Sequence, residues 1–460
     1  MKKILNLILL GCLMQLQAQI ITYTPTENII DNNPYIHPSK HYKVSLLQNG
    51  DKINDFTYCM KAQHNTNNSQ NTAWSNFSFS GSVTVQVERL QDTVDFVQVL
   101  PRSANIQVKK ENSNLISFTI DKPGHYSIEF ERGTVIDYPL LLFANPLEKD
   151  IPDPADPDVV YFKPGLHEIG DRFEIKSNQT VYLAGGAYVI GQFFAENAKD
   201  ITIKGRGILS GEVYQPRTHQ HMISMQNAEN IKVSGITMIH SPRYMIALRG
   251  KNHFFDNVKM MGWWFSTDGI SAGEHTVVEN CFFKVNDDAV KLYQSNTLVK
   301  NCVIWQLENG APFMISWNGS SDFGGIEVRD IEIIRVEHHW DNENLAVVCA
   351  VHGGEANISN IKFENIVIDN SKWRIFHLVT RPNRWGRWNP KSGSLSNFEF
   401  KNFKYYGTPV IKNLIAGHDA QHPVFNMQFE NIEIAGRQLT DLKKHFIIDP
   451  RFTKHITISQ

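Results

Sequence analysis

From Val159 onward the chain returns to one pattern: apolar, any, apolar, any, pivot, apolar, any, apolar, where the pivot is Asn, Gly or Asp. It appears as VYLAGGAY, ITIKGRGI, IKVSGITM, HFFDNVKM, TVVENCFF, TLVKNCVI, IEVRDIEI, IKFENIVI, FEFKNFKY and MQFENIEI. The pivots are Gly185, Gly205, Gly235, Asn257, Asn280, Asn301, Asp330, Asn365, Asn402 and Asn431. From Gly235 to Asn301 they are spaced 22, 23 and 21 residues apart, and later spacings lengthen through insertions. Inside each unit the apolar period is two, which is that of a strand and excludes helical repeats. A unit this short cannot bury its own apolar face, so successive units must stack. Asparagine suits the corners because it tolerates the left-handed backbone region and its amide can bond the amide of the next coil. The expected fold is all-β: a right-handed parallel β-helix of about ten coils, the hand following from the rule for parallel crossovers.

The chain ahead of the repeat reads differently. Ser82–Glu88, Val94–Val99 and Gly124–Phe130 alternate apolar and polar residues between turn-forming clusters, as strands of a β-sandwich do. Asn65–Asn76 is polar and Asn-rich and is expected as a surface loop carrying Trp74. Asp150-Ile-Pro-Asp-Pro-Ala-Asp-Pro157 breaks both helix and ladder, which places the domain boundary near residue 148. The expected layout is a sandwich over 19–148 and a catalytic β-helix over 149–460. The N-terminus MKKILNLILLGCLMQLQAQ has Lys2 and Lys3, a short apolar stretch and a small residue at Ala18. It reads as a signal peptide over 1–18 that sends the protein out of the cell or to the periplasm. Lipid attachment at Cys12 is the weaker reading, since apolar sequence continues past it. No later apolar run is long enough to span a membrane. A net charge of −2 gives no broad basic field for nucleic acid. Cys59, Cys281, Cys302 and Cys349 form no disulfide framework. Cys281 and Cys302 share one phase of consecutive coils and are expected to stack unbridged, because adjacent parallel strands offer poor disulfide geometry. A monomer acting on a polysaccharide, without a cofactor or a metal, is the expected working form.

The chemistry gathers in Trp263–Tyr293, WWFSTDGISAGEHTVVENCFFKVNDDAVKLY. Asp268 lies one coil ahead of Asp287 and Asp288. Counted from the preceding pivot they sit at +11, +7 and +8, so they are expected on one side of neighbouring coils as an imperfect stack. Rungs are about 4.8 Å apart. Such spacing suits the paired carboxylates of glycoside hydrolysis, where crowding keeps one carboxyl protonated as an acid. Asp-Gly and Asn-Asp at a corner are also common turn chemistry. Lys291 and Tyr293 follow at alternate positions and can hold the cluster or a sugar hydroxyl. Trp263, Trp264, Trp305 and Trp317 bracket the aspartates, offering either sugar platforms or solenoid packing. Trp373–Trp388 is a long insertion that adds Arg381, Arg384, Arg387 and Trp385 to the candidate wall. The histidines His240, His338, His339, His352 and His377 show no metal-ligand spacing.

The run Trp264-Phe-Ser-Thr-Asp268-Gly, Lys284-Val-Asn-Asp287-Asp288-Ala-Val-Lys291-Leu-Tyr293 and Trp305-Gln-Leu-Glu308-Asn309-Gly310 through Trp317 resembles glycoside hydrolase family 49, the dextranases and isopullulanases. Leu142-Phe-Ala-Asn-Pro146 and the two-domain layout are similar to that family too. The resemblance implies inverting hydrolysis of an α-glucan such as dextran. It implies Asp287 as general acid and Asp268 and Asp288 as the groups that hold and deprotonate water. Trp264, Glu308, Asn309 and Trp317 of that run and Trp385 of the insertion are expected on the substrate side. The related pectin-cleaving β-helices expect a Gly-His-Gly and an Arg-Ile-Lys after the Asp-Asp pair, and this chain has neither. Three alternatives remain open: an inverting hydrolase of an acidic or sulfated polysaccharide, favoured by the arginine-rich insertion; a polysaccharide lyase; and a non-catalytic carbohydrate-binding solenoid.

Overall fold

The computed structural model describes residues 18–30, 33–63, 69–217, 221–340, 342–385 and 388–460. The expected leader, with Cys12, lies outside the described residues except for Ala18.

The N-terminal part is a sandwich of two sheets. One runs Ile36–Pro38, Thr57–Lys61, Asn71–Ser80, Leu140–Pro146, Gly124–Glu129 and Gln98–Leu100, with Gln19–Thr22 added beside Asn71–Ser80. The other runs Asp51–Asp55, Tyr42–Gln48, Val83–Arg89, Leu115–Ile120 and Lys109–Lys110. Alternation turns Val83, Val85 and Val87 into the core between them. Two expectations are corrected. Val94–Val99 forms strand only from Gln98, because the residues after Arg89 carry the chain from one sheet to the other. Trp74 is not on a surface loop: Asn71–Ser80 is a central strand, and Trp74 is fully buried with its ring stacked on Tyr58 at 4.6 Å.

From Val159 the chain winds through 29 strands, each pairing in parallel with its counterpart on the next coil apart from one terminal hairpin. One coil shows the plan: Phe254–Asp256, Lys259–Met261 and Ile270–Ser271 pair with Val277–Glu279, Phe282–Val285 and Val290–Lys291. The Asn and Asp pivots are left-handed corners, with φ of 55° at Asn257, 54° at Asn280 and 54° at Asn301. Their amides form a ladder: Asn402 Nδ2 donates to Asn365 Oδ1 at 2.8 Å, and Asn431 Nδ2 to Asn402 Oδ1 at 2.7 Å. A second left-handed corner, not foreseen, stands five residues ahead of each pivot (252 to 257, 275 to 280, 296 to 301), at Asn252, His275 and Asn296 with φ of 61°, 55° and 58°. The third turn obeys no such rule. It spans 262–269, then 286–289, then 307–312, and it carries the candidate chemistry.

The sandwich braces the face that leads into those third turns. Trp74, Tyr58, Leu141 and Phe143 pack on Met261, Trp263, Phe282 and Trp305. Trp263 Nε1 donates to Ser69 O at 2.7 Å, Lys284 Nζ to Thr72 Oγ1 at 2.8 Å and Trp305 Nε1 to Glu337 Oε1 at 2.6 Å. Trp263 and Trp305 are therefore packing residues. A buried aromatic of this size removes about 150–250 Å² from water, on the order of 4–6 kcal/mol. Cys281 and Cys302 are buried and unbridged.

Candidate active site

Strand register sets the carboxylates. Ile270 pairs with Val290, and Asp268 and Asp288 each stand two residues ahead of those strands, so they occupy one column on consecutive rungs. Gly269 N donates to Asp288 O at 2.9 Å. The offset expected from counting off the pivots is absent, because the extra residues lie in the turn after Met261, before Asp268 is reached. Close approach depends on two glycines. A Cβ on Gly269 would lie 2.2 Å from Ala289 O, and one on Gly310, where φ is +76°, would lie 2.2 Å from the Asp287 carbonyl carbon. Asn286, fully buried, donates to Trp263 O at 2.7 Å and accepts from Asn309 N at 3.1 Å. Gln306 Nε2 donates to Asp287 O at 3.0 Å and Asn309 O at 2.6 Å. The Asp287–Asp288 turn is thus clamped from both neighbouring coils.

The three aspartates are not equivalent. Lys291 Nζ lies 2.7 Å from Asp268 Oδ2 and also pairs with Asp288 Oδ2. Asp288 Oδ1 accepts from Ala311 N at 3.0 Å. Asp287 Oδ1 accepts from Asp288 N at 3.0 Å, and no cation among the described residues pairs with it. Burial lifts Asp268 to about 7, with Lys291 opposing and Asp288 adding to the rise. Burial, then the Asp268 and Asp288 charges, hold Asp287 well above the carboxylate range. Burial pushes Lys291 down, but Asp268 and Asp288 outweigh it and keep the ammonium charged. Burial and its neighbours thereby favour the protonated form of Asp287, the one of the three without a share in the ammonium. Carboxylate oxygens of all three lie within 4.8 Å of one another, close enough to share a cation, and for Asp268 and Asp288 that cation is Lys291.

The cleft around them has a volume of about 660 Å³. Of the residues expected there, Lys291, Tyr293, Asn309, Trp317 and Trp385 line it beside the aspartates. The Tyr293 hydroxyl is buried without a hydrogen-bond partner among the described residues. Trp317 and Trp385 meet edge to face at 6.3 Å, and Asn318 Nδ2 anchors Trp385 O at 2.9 Å. Two expectations are corrected. Trp264 does not line the cleft: Thr267 N donates to Trp264 O at 2.8 Å, and the tight turn this closes aims Phe265 and Ser266 inward instead. Glu308 is only 3% exposed, also off the cleft, and its carbonyl accepts from Trp340 Nε1 at 3.1 Å, so it props an aromatic that does line the wall.

Sequence reasoning missed Tyr244, Phe265, Trp340, Asn344, Arg217 and Arg243. Tyr244 was findable: Ile246 pairs with Ile270, so counting two residues back puts Tyr244 one rung above Asp268. Asp268, then burial, drives its phenol upward. Asn344, 5% exposed, belongs to the cleft wall, and its buried Oδ1 has no partner among the described residues. The arginine-rich insertion is partly structural. Arg381 pairs with Glu343 at 2.9 Å, Trp373 is buried, and Trp388 packs on His422 at 4.3 Å. Arg384 covers the Trp385 ring at 4.9 Å, and Arg387 lies outside the described residues.

Comparison with known proteins agrees with this layout. Residues 196–446 match the family model described as glycosyl hydrolases family 28, and residues 29–139 match the glycosyl hydrolase family 49 N-terminal Ig-like domain. A dextranase of Arthrobacter sp. (strain CB-8) is 24% identical over 356 residues, covering 58% of this chain and 56% of that protein. An isopullulanase of Aspergillus niger is 24% identical over 407 residues, covering 74% and 72%. The chain thus spans little more than half the length of the dextranase it matches. The structure of Dex49A from Penicillium minioluteum superposes with a TM-score of 0.69 at 18% identity, covering 95% of this chain and 96% of that one, which shows a shared fold.

Proposed function

The chain belongs to the β-helical glycosyl hydrolases, matched as family 28 along its helix and as family 49 in its N-terminal domain, and from that premise we propose a secreted inverting hydrolase that cuts within an α-1,6-linked, dextran-like glucan or a related α-glucan. Asp287 protonates the glycosidic oxygen as the bond breaks. Asp268 and Asp288 hold a water on the other face of the sugar and take its proton. Lys291 favours the ionised form of Asp268, while burial and its charged neighbours favour the protonated form of Asp287. The observation that carries this reading is that one ammonium is shared by two of three crowded carboxylates, leaving the third as the acid. Trp317, Trp340 and Trp385 offer flat faces to pyranose rings on one side of the triad, and Tyr244 and Phe265 stand on the other. Walls on both sides favour a chain passing through, hence cleavage within it. The absence of any described helix long and apolar enough to cross a membrane is compatible with a secreted protein.

The test is incubation with dextran, pullulan, polygalacturonate and sulfated algal glycans. Reducing ends and the first-formed anomer are followed by NMR. Dextran or pullulan cleavage with inversion is expected. Asp287→Asn should lower turnover by about 10²–10⁴-fold, and near-normal turnover in that variant ends the assignment. An unsaturated uronate absorbing in the ultraviolet would mark a lyase instead, and binding without new reducing ends a carbohydrate-binding solenoid.

A further inference from the structure

The two carboxylates do not by themselves account for the way Lys291 is held. An ammonium has three N–H donors. Two meet Asp268 Oδ2 and Asp288 Oδ2, and among the described residues no further acceptor takes the third. Two aromatic faces stand there instead. Lys291 Nζ lies 5.2 Å from the centre of the Tyr244 ring and 5.4 Å from that of Tyr293. Both distances are within reach of the attraction between a cation and the negative face of a ring, which is strongest where water is excluded, and the Lys291 side chain is only 6% exposed.

Register produces the arrangement. Tyr293 stands two residues past Lys291 on the same rung, the spacing that sends two side chains out of one face. Tyr244 stands one rung above Asp268 in the column that continues to Asp288. In the column of Lys291 itself, the two preceding rungs carry Ser271 and Ala247, both small. The rings are braced from outside. Tyr244 packs on the His221 ring at 4.5 Å, and Tyr293 packs against the buried cluster of Ala311, Met314 and Cys349. Asp268, then burial, pushes the Tyr244 phenol up, and burial does the same to Tyr293, so both rings are neutral where the enzyme would work. Burial also pushes up the Cys349 thiol, which lies close enough to Asp288 to feel its charge. Arg217, Arg243 and Arg384 line the cleft as well, yet among the described cations only Lys291 pairs with the aspartates.

We propose that Tyr244 and Tyr293 are positioning residues, whose ring faces hold the Lys291 ammonium where it bridges Asp268 and Asp288 and through it favour the ionised form of Asp268. The consequence for turnover rests on the hydrolase reading. The two rings thereby serve the protein's own charge cluster, a role distinct from offering a hydroxyl or a platform to a sugar.

The experiment follows the acid limb of kcat/KM in Tyr244→Leu, Tyr293→Leu and the matching phenylalanine variants, by reducing-end release from dextran or from whichever glycan of the panel is cleaved. Each leucine should move the limb up by about half a unit to one unit, because a displaced ammonium favours ionised Asp268 less. Each phenylalanine should leave it in place, because only the hydroxyl is lost. Pentafluorophenylalanine at either position inverts the charge of the ring face with little change of shape. It should move the limb as leucine does, and it covers the case of a leucine variant that thermal unfolding shows to be misfolded. In a Lys291→Met background none of these changes should move the limb further. A limb that stays at the wild-type position in the folded leucine and pentafluorophenylalanine variants overturns the proposal; a rise in KM alone does so too, since it marks the rings as sugar contacts. A shift that phenylalanine shares, or one that persists without Lys291, also overturns it. The titration of Asp268 itself, read by carboxyl carbon NMR in the Asp287→Asn protein with and without each ring, needs no turnover. If no glycan is cleaved the hydrolase reading fails, and that titration still decides the role of the rings by moving with them or not.

Discussion

Replacing Lys291 by methionine tests the electrostatic core of the site. The ammonium lies 2.7 Å from Asp268 Oδ2 and also pairs with Asp288, with side-chain exposures of 6%, 2% and 1% for the three groups. At an effective dielectric constant of about 20, a charge pair at that distance interacts by roughly 6 kcal/mol. One pKa unit is about 1.4 kcal/mol, so even a third of that interaction moves a carboxyl by more than one unit. Asp268 already sits at about 7 with Lys291 in place, because burial raises it and the ammonium pulls it back. Without the ammonium it must rise further. Since Asp268 must be ionised to activate water, its pKa sets the acid limb of kcat/KM. Lys291→Met should move that limb up by at least about one unit and lower the rate at pH 6 by about tenfold or more. Lys291→Arg should restore most of the wild-type profile. The assay is reducing-end release between pH 4 and 9, with thermal unfolding to measure the folded fraction, because breaking a buried pair costs about 3–5 kcal/mol. An acid limb that superimposes on the wild-type curve in a folded Lys291→Met protein refutes the reasoning.

Gly310→Ala should cripple turnover while touching no substrate. Its Cβ would lie 2.2 Å from the Asp287 carbonyl carbon and 2.5 Å from Asp288 N, both backbone, so the turn must move by about 1 Å, worth about 10²-fold in rate; wild-type turnover would show that the turn is not held where it appears. Trp317→Ala and Trp385→Ala should raise KM by about tenfold with little change in kcat, as loss of stacking does, which steady-state kinetics on a soluble oligosaccharide will report. Burial lowers Lys284 to about 7 in the folded protein, against about 10.4 unfolded. The unfolded chain binds the extra proton between those values, so this group's contribution to stability is full above about 10.4 and is lost as pH falls toward 7. Urea denaturation at pH 7 and pH 9.5 should show a smaller difference for Lys284→Met than for the wild-type protein, and equal differences would remove Lys284 from that role.

Much of the architecture was readable because backbone geometry, rather than a ligand, selects two corners of every coil. Asn257, Asn280 and Asn301 must hold φ near 55°, and few residues other than Asn and Gly do so at low cost. That demand recurs once per coil and leaves a period in the sequence. The second corner obeys the same demand, yet it escaped notice because His275 and Gly325 interrupt its run of asparagines. Asp268, Asp287 and Asp288 were legible because the same period sets their spacing: counted from the corners, they fall on one side of consecutive coils. Trp74 was not legible because regular alternation begins only at Phe77, and the strand is buried on both faces despite its Asn and Ser residues.

The third turn is selected by what it must touch, so it carries no period, and its wall residues share no motif. What unites them is register counted from the following strand, not from the preceding pivot. Two residues ahead of Ile246, Ile270, Val290 and Phe313 stand Tyr244, Asp268, Asp288 and Ala311, a single column across four rungs. Read down that column, an aromatic is followed by two acids and then by a methyl group, whose N–H donates to Asp288 Oδ1 at 3.0 Å. The Ala311 side chain is itself fully buried, packed among Met314, Ala346 and Cys349. The column therefore explains together why Tyr244 faces Asp268 and why Lys291, three residues past Asp288, reaches back to both acids.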